Sequence, residues 1–195
     1  LYYILLGLPG VEGDCGKIPP HARRSLMAGM TTDTNNFANS VFPETFAMAS
    51  SLIEAGVDRD EILSHIYNEY RENRIRLMGY LLHRKLTILD NGVAYIILDK
   101  AVQEEFDMRE GELEGLVNMP LAIKEVRFSL LLTEDGDRFR VSIRSKRGCS
   151  AAGMAKAHFH GGGHEQAAGG KLFIGEDIAE SSEAGEYILR AAKNY

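Results

Sequence analysis

A histidine set in a glycine-rich run is the first group in this chain whose neighbours suggest chemistry. Between Phe159 and Gly170 the sequence places Gly161, Gly162, Gly163, Gly169 and Gly170 around His164, with His160 just ahead of the run. Consecutive glycines admit left-handed backbone angles and carry no Cβ, so an anion can come close to the main-chain N–H groups. The His164 ring can add a donor, either to a transferring phosphoryl group or to a leaving oxygen. Such a loop suits a phosphate.

Two further positions carry chemistry. Asp33 lies between Thr32 and Thr34; its carboxylate can ligate a metal while the hydroxyls orient it, or it can serve as a turn or helix-cap acid. Arg144 and Ser145 end a strand-like stretch shortly before the glycine run. A guanidinium there can grip a terminal phosphate through two parallel hydrogen bonds.

Taken together, these segments resemble the DHH phosphoesterase superfamily. Residues 159–170 are similar to the Gly-Gly-Gly-His motif of its DHH-associated C-terminal domain, and residues 28–37 to its late Thr-Asp-Thr motif. Arg144-Ser145 resembles the Arg-Ser segment of the same domain, and residues 114–118 are most similar to the smaller members that act on nanoRNA and phosphoadenosine phosphate. The resemblance implies Asp33 as a metal ligand and catalytic residue, and His164 as a catalytic and substrate-binding residue. It also implies Arg144, Ser145, Gly161, Gly162 and Gly163 as substrate contacts. Two divalent ions, manganese by family habit, are expected in the complete protein.

The departures are specific. Asn35 stands where a glycine usually follows Thr-Asp-Thr, and it tolerates the same left-handed geometry. His160 replaces a further glycine, and Glu165-Gln166 replaces Lys-Asn. The Asp-x-Asp, isolated aspartate and Asp-His-His motifs of the superfamily are not found, and the sequence opens on Leu1 inside a hydrophobic run. An N-terminal portion is therefore expected to be missing from the sequence. Asp58-Arg59-Asp60 reads as a helix start and Asp135-Gly136-Asp137 as a hairpin turn, so neither replaces the absent motifs.

The function implied is metal-dependent hydrolysis of short oligoribonucleotides or of 3′-phosphoadenosine 5′-phosphate. The alternatives are an exopolyphosphatase, a cyclic-dinucleotide phosphodiesterase and a non-catalytic nucleotide-binding module. Composition narrows the partners. The net charge of −6 argues against coating long nucleic acid, yet residues 120–171 hold nine Lys or Arg against five acids. A small anionic ligand fits that contrast. The opening apolar run is broken by Gly7 and Pro9 and lacks a basic flank, so neither a membrane span nor a signal peptide is expected. Cys15 and Cys149 have no metal spacing and read as free thiols of a reducing cytoplasm. A homodimer is among the assemblies the sequence allows.

The elements that must position these groups suggest an α/β protein in three zones. Residues 1–56 read as the end of a Rossmann-like metal-binding domain, with a helix over 21–30, a strand end and loop over 31–40, and a helix over 44–55. That places Asp33 at a strand-to-loop junction, where α/β sheets collect ligands. Residues 57–85 read as a connector, one continuous helix from Asp58 to Arg84. Residues 86–195 read as a mixed-sheet α/β substrate-binding domain, its clearest feature a hairpin of 126–133 and 138–145.

Overall fold

A computed structural model describes residues 1–193 and Tyr195. The chain divides into two compact units, Leu1–Tyr70 and Arg71–Tyr195.

The first unit is helical: α1 (Tyr2–Leu6), α2 (Pro20–Asp33), α3 (Pro43–Glu54) and α4 (Arg59–Tyr67). Local sequence starts each long helix. Pro20 and Pro43 occupy first-turn positions where no N–H is needed, and Asp58 accepts the Glu61 N–H at 3.0 Å to open α4. Gly56, with φ +90°, turns the chain after α3. Tyr2, Met27, Leu52, Val57 and Ile62 form the core of this unit.

Here the structure corrects the expected strand at residue 31. Helix α2 runs through Thr31 and Thr32 to Asp33. β-Branched threonines favour strands in isolation, but here Thr31 is buried within the helix and the hydroxyls of Thr32 and Thr34 bond back to it. Thr32 Oγ1 donates to the Ala28 and Gly29 carbonyls at 3.2 and 3.1 Å, and Thr34 Oγ1 donates to the Met30 carbonyl at 2.7 Å. Left-handed residues Asn35, Asn36 and Phe37, with φ of 49°, 56° and 64°, then reverse the chain. Asp33 thus ends a helix.

The connector is corrected too. Instead of one helix, α4 ends at Tyr67 and α5 (Glu72–Tyr80) begins after a break, followed by a π-helical turn at Leu81–Lys85. The reason is tertiary. Arg71 donates to the Asp107 and Glu112 carboxylates at 2.6 and 3.2 Å, and the Asn73 amide donates to the Phe106 carbonyl at 3.0 Å. These bonds tie the start of α5 to the rest of the second unit, and helical propensity across residues 68–71 is too weak to compete.

The second unit is built on β1 (Thr87–Ile88), β2 (Val93–Leu98), β3 (Phe128–Asp135), β4 (Arg138–Ser145), β5 (Gly162–His164) and β6 (Ala167–Phe173). Their order in the sheet is β1-β2-β3-β4-β6-β5; only β2 and β3 run parallel, connected through α6 (Lys100–Glu105) and a 3-10 segment at Leu116–Ala122. The mixed sheet and the β3–β4 hairpin, turned at Gly136, are as expected. One face carries Phe128, Leu130, Phe139, Val141 and Ile143 against α7 (Ala151–His158) and α8 (Ala184–Ala192). The other carries Ile96, Leu98 and Leu131 against Leu77, Leu81 and Leu116, and the 3-10 segment also lies against β4.

The glycine run is a strand, not a free loop. Gly162, Gly163 and His164 pair with Gly169, Ala168 and Ala167. A Cβ at Gly161 would lie 2.0 Å from the Gly169 carbonyl oxygen, and one at Gly170 would lie 2.3 Å from the Phe159 carbonyl oxygen. Close backbone packing beneath α7 therefore requires these two glycines. Gly170→Ala should destabilise the protein by about 1–3 kcal/mol or more through overpacking. Thermal denaturation followed by circular dichroism reads this directly; an unchanged Tm would show that the backbones are not held this closely.

Candidate functional site

The pleat of β4 decides which side chains share a surface. Successive residues of a strand alternate faces, so Arg138, Arg140, Ser142 and Arg144 lie together, opposite Phe139, Val141 and Ile143. The register extends this set sideways. Arg144 pairs with Ser129 on β3 and with Ala167 on β6, and Ala167 pairs with His164 on β5. Arg144 and His164 therefore stand in one row on one face, two strands and about 10 Å apart at the backbone. In the next row Ser142, Gly169 and Gly162 are in register, and beyond it Arg140 pairs with Lys171.

Two cations and an imidazole thus surround a floor of Ala167, Gly169 and Gly162. A Cβ at Gly162 would meet nothing within 4 Å. Its glycine is not explained by packing, in contrast to Gly161 and Gly163. Gly163, with φ +147°, faces the other way, where a Cβ would lie 2.6 Å from the Ala167 carbonyl oxygen.

The charges on this surface are unequally compensated. Arg140 pairs with Asp135 at 3.5 Å and Arg138 with Asp137 at 3.8 Å, close to the hairpin turn. Arg144 donates to the Ile143 carbonyl at 2.9 Å, and neither it nor Lys171 forms an ion pair among the described residues. His164 is exposed and has no hydrogen-bond partner among the described residues. Because β5 is the edge strand, alternate N–H groups along it also point away from the sheet. Free donors gather at one end of the face.

The structure gives other expected contacts different tasks. Ser145 faces the core, is buried, and donates to the Cys149 carbonyl at 2.7 Å, fixing the turn into α7. The Gly161 N–H donates to the Ala155 carbonyl at 3.2 Å. Neither Ser145 Oγ nor the Gly161 N–H is turned to the open face. Glu165 accepts from the Ser150 hydroxyl at 3.1 Å beside the first turn of α7, where a helix favours an acid.

The three clustered histidines diverge. His158 stacks edge-on to Tyr195, and His160, with φ 46°, places Nε2 2.9 Å from the Asp177 carboxylate. Among the described residues no three His, Cys, Asp or Glu side chains converge to hold a metal ion. Asp33 is exposed at the end of α2. A helix disfavours negative charge in its last turn, by about 0.3–1 kcal/mol, and a bound cation would reverse that sign.

Sequence reading missed the participation of Ser142, Gly169 and Lys171. The signal for the first was available: period-two alternation from the hairpin turn puts Ser142 beside Arg144. The pairing of β6 between β4 and β5, which brings in Gly169 and Lys171, has no such local signal.

Fold and surface define an α/β domain with one basic sheet face, and comparison with known proteins agrees with the fold. The DHHA1 domain matches residues 90–190, and the chain belongs to that family, within the DHH superfamily. It is 29% identical over 161 residues to the bifunctional oligoribonuclease and PAP phosphatase NrnA of Bacillus subtilis, covering 80% of this chain and 49% of that protein. An uncharacterized Mycoplasma pneumoniae protein is 32% identical over 152 residues, covering 73% of this chain and 43% of the relative. The crystal structure of an exopolyphosphatase-related protein from Bacteroides fragilis superposes with a TM-score of 0.85 at 35% identity, covering 95% of this chain and 53% of that one. The chain spans about half the length of the relatives it matches. Among the described residues no helix is long and apolar enough to cross a membrane.

Two outcomes follow from this geometry. Gly162→Ala should leave stability within about 0.5 kcal/mol yet weaken phosphate binding, as read by calorimetric titration; unchanged binding would move the ligand elsewhere. The hydrogen bond that the His160 ring donates to Asp177, and then the carboxylate's charge, hold the His160 pKa above the ordinary imidazole value. A raised folded pKa contributes stability that is present below about pH 6.5 and lost as pH rises through the folded value. The stability gap between the native protein and Asp177→Asn should accordingly shrink as pH rises above about 6.5. A gap independent of pH in chemical denaturation would show that the pair does not titrate in this way.

Proposed function

We propose that this chain supplies the substrate-gripping surface, and one metal ligand, of a phosphohydrolase acting on short oligoribonucleotides or 3′-phosphoadenosine 5′-phosphate. The observation that carries this reading is the row of Arg144 and His164 across the glycine-floored strands β4, β6 and β5. A guanidinium matches two phosphate oxygens at once, and a charge-assisted bond of this kind contributes about 1.5–3 kcal/mol. The His164 ring and the outward N–H groups of β5 supply further donors to the same anion. Lys171 adds a point charge along β6, toward the next phosphate of a short chain. The name of the Bacillus subtilis relative, an oligoribonuclease and PAP phosphatase, supports this substrate class.

The described residues do not by themselves fit a metal centre, since no three potential ligands converge. Asp33 would be one ligand, and a manganese pair would need others. The roles of the remaining residues need no metal: Arg144 and Lys171 neutralise and orient phosphate, and His164 donates a proton or hydrogen bond to a phosphate oxygen. A second reading, hydrolysis of polyphosphate, is favoured by the likeness to the exopolyphosphatase-related protein of Bacteroides fragilis. It requires the surface to ignore nucleobases.

The test is release of product from phosphoadenosine phosphate, a 5′-labelled diribonucleotide and polyphosphate by the full-length protein that contains this chain, with manganese added or chelated. Arg144→Ala should raise KM about 10- to 100-fold, the equivalent of one lost charge-assisted bond. His164→Ala should lower kcat more than it changes KM, and Asp33→Ala should remove the response to manganese. Turnover of polyphosphate alone would establish the second reading. Nucleotide binding without turnover would make the protein a binding module.

A further inference from the structure

On the opposite face of the sheet, away from Arg144 and His164, lies a cavity of about 420 Å³ that the proposed reaction does not use. Its apolar part is the half-buried Ile97, with the fully buried Phe139 behind it, and the rest of its lining is polar. That volume falls within the range of small-molecule sites. The charges at its mouth come from the π-helical turn, where Leu86 N–H bonds to the Leu81 carbonyl at 2.9 Å and presents Arg84 and Lys85 in succession. Such turns are rare and concentrate at functional positions.

The donors around the cavity are largely uncommitted. Lys85 is neutralised by Asp99 at 2.9 Å, and Asp99 also caps α6 by accepting the Val102 N–H at 2.9 Å. Arg84 forms no ion pair among the described residues, which leaves the lining with one net positive charge. Tyr95 is only 9% exposed, and its hydroxyl, which reaches solvent, has no hydrogen-bond partner among the described residues. The Thr87 and Ser181 hydroxyls are likewise unpartnered among the described residues, whereas Ser182 donates to Glu180 at 3.5 Å. One guanidinium and three free hydroxyls match the several acceptor oxygens of a phosphate better than the two of a carboxylate.

We propose that this cavity binds a phosphorylated ribose, from sugar phosphate to mononucleotide, with its phosphate held by Arg84 and the neighbouring hydroxyls and its sugar over Ile97. Occupancy would fasten the end of the π-helical turn to the segment leading into α8. Calorimetric titration of the full chain with ribose 5-phosphate, adenosine 5′-monophosphate and inorganic phosphate tests it. With the phosphate grip of the other face removed by Arg144→Ala, ribose 5-phosphate should still bind saturably, about tenfold or more weakly when Arg84→Gln is added and several-fold more weakly when Tyr95→Phe is added. A gain for the mononucleotide would extend the site to the base, and equal affinities would limit it to the sugar phosphate. Thermal melts of each variant confirm folding. Binding lost in Arg144→Ala and retained in Arg84→Gln would overturn the proposal, as would inorganic phosphate binding as tightly as the sugar phosphate, or no saturable binding at millimolar concentration.

Discussion

The second unit depends on how closely three backbones approach one another at the end of α7. The Phe159 carbonyl accepts the Lys171 N–H at 2.6 Å, and the Ala155 carbonyl accepts the Gly161 N–H at 3.2 Å. Only residues without a Cβ can stand at 161 and 170 under these conditions. The helix is thereby locked onto the hairpin of β5 and β6, and Ala151 N–H closes the other end by donating to the Glu165 carbonyl at 2.7 Å. Register follows from this clamp. With β5 held against β6 and β6 against β4, His164 has no freedom to leave the row of Arg144.

The same constraint separates the two faces of the sheet. Val141, Ile143 and Ala168 point into the core, so Ser142, Arg144 and Ala167 must point out. A slip of one residue would bury Arg144 without a counter-charge and expose the aliphatic set, a cost large enough to fix the pairing. Glycine has two distinct uses in this arrangement. Gly161, Gly163 and Gly170 serve contact between backbones, while Gly162 leaves the open face bare.

Much of this was legible in the sequence because it is local. The hairpin turn at Asp135-Gly136-Asp137, the α7 segment and the alternating β4 strand each carry their signal within a few residues. The misreadings arose where distant groups decide. Thr31 and Thr32 have strand-forming side chains, but α2, whose Met27 and Thr31 are buried, carries them as its last turn. The break between α4 and α5 is set by Arg71 and Asn73 reaching residues more than thirty positions away. The glycine run looks like a loop until the partner strand is known, since glycine gives no pattern of its own. Ser145 is adjacent to Arg144 in sequence but on the opposite side of the pleat.

The placement of ion pairs gives the open face a direction. Arg138 and Arg140 sit beside the hairpin turn, where Asp137 and Asp135 satisfy them, and exposed pairs of this kind add little to stability. Arg144 and Lys171 lie nearer the glycine-rich edge and carry uncompensated charge. A protein with net charge −6 repels a long polyanion at distance, and screening confines that effect to about 10 Å. In the proposed reading a small phosphate-bearing ligand is attracted locally by Arg144 and Lys171. The carboxylates at the hairpin turn confine the uncompensated charge to that end of the face as much as the placement of the arginines does.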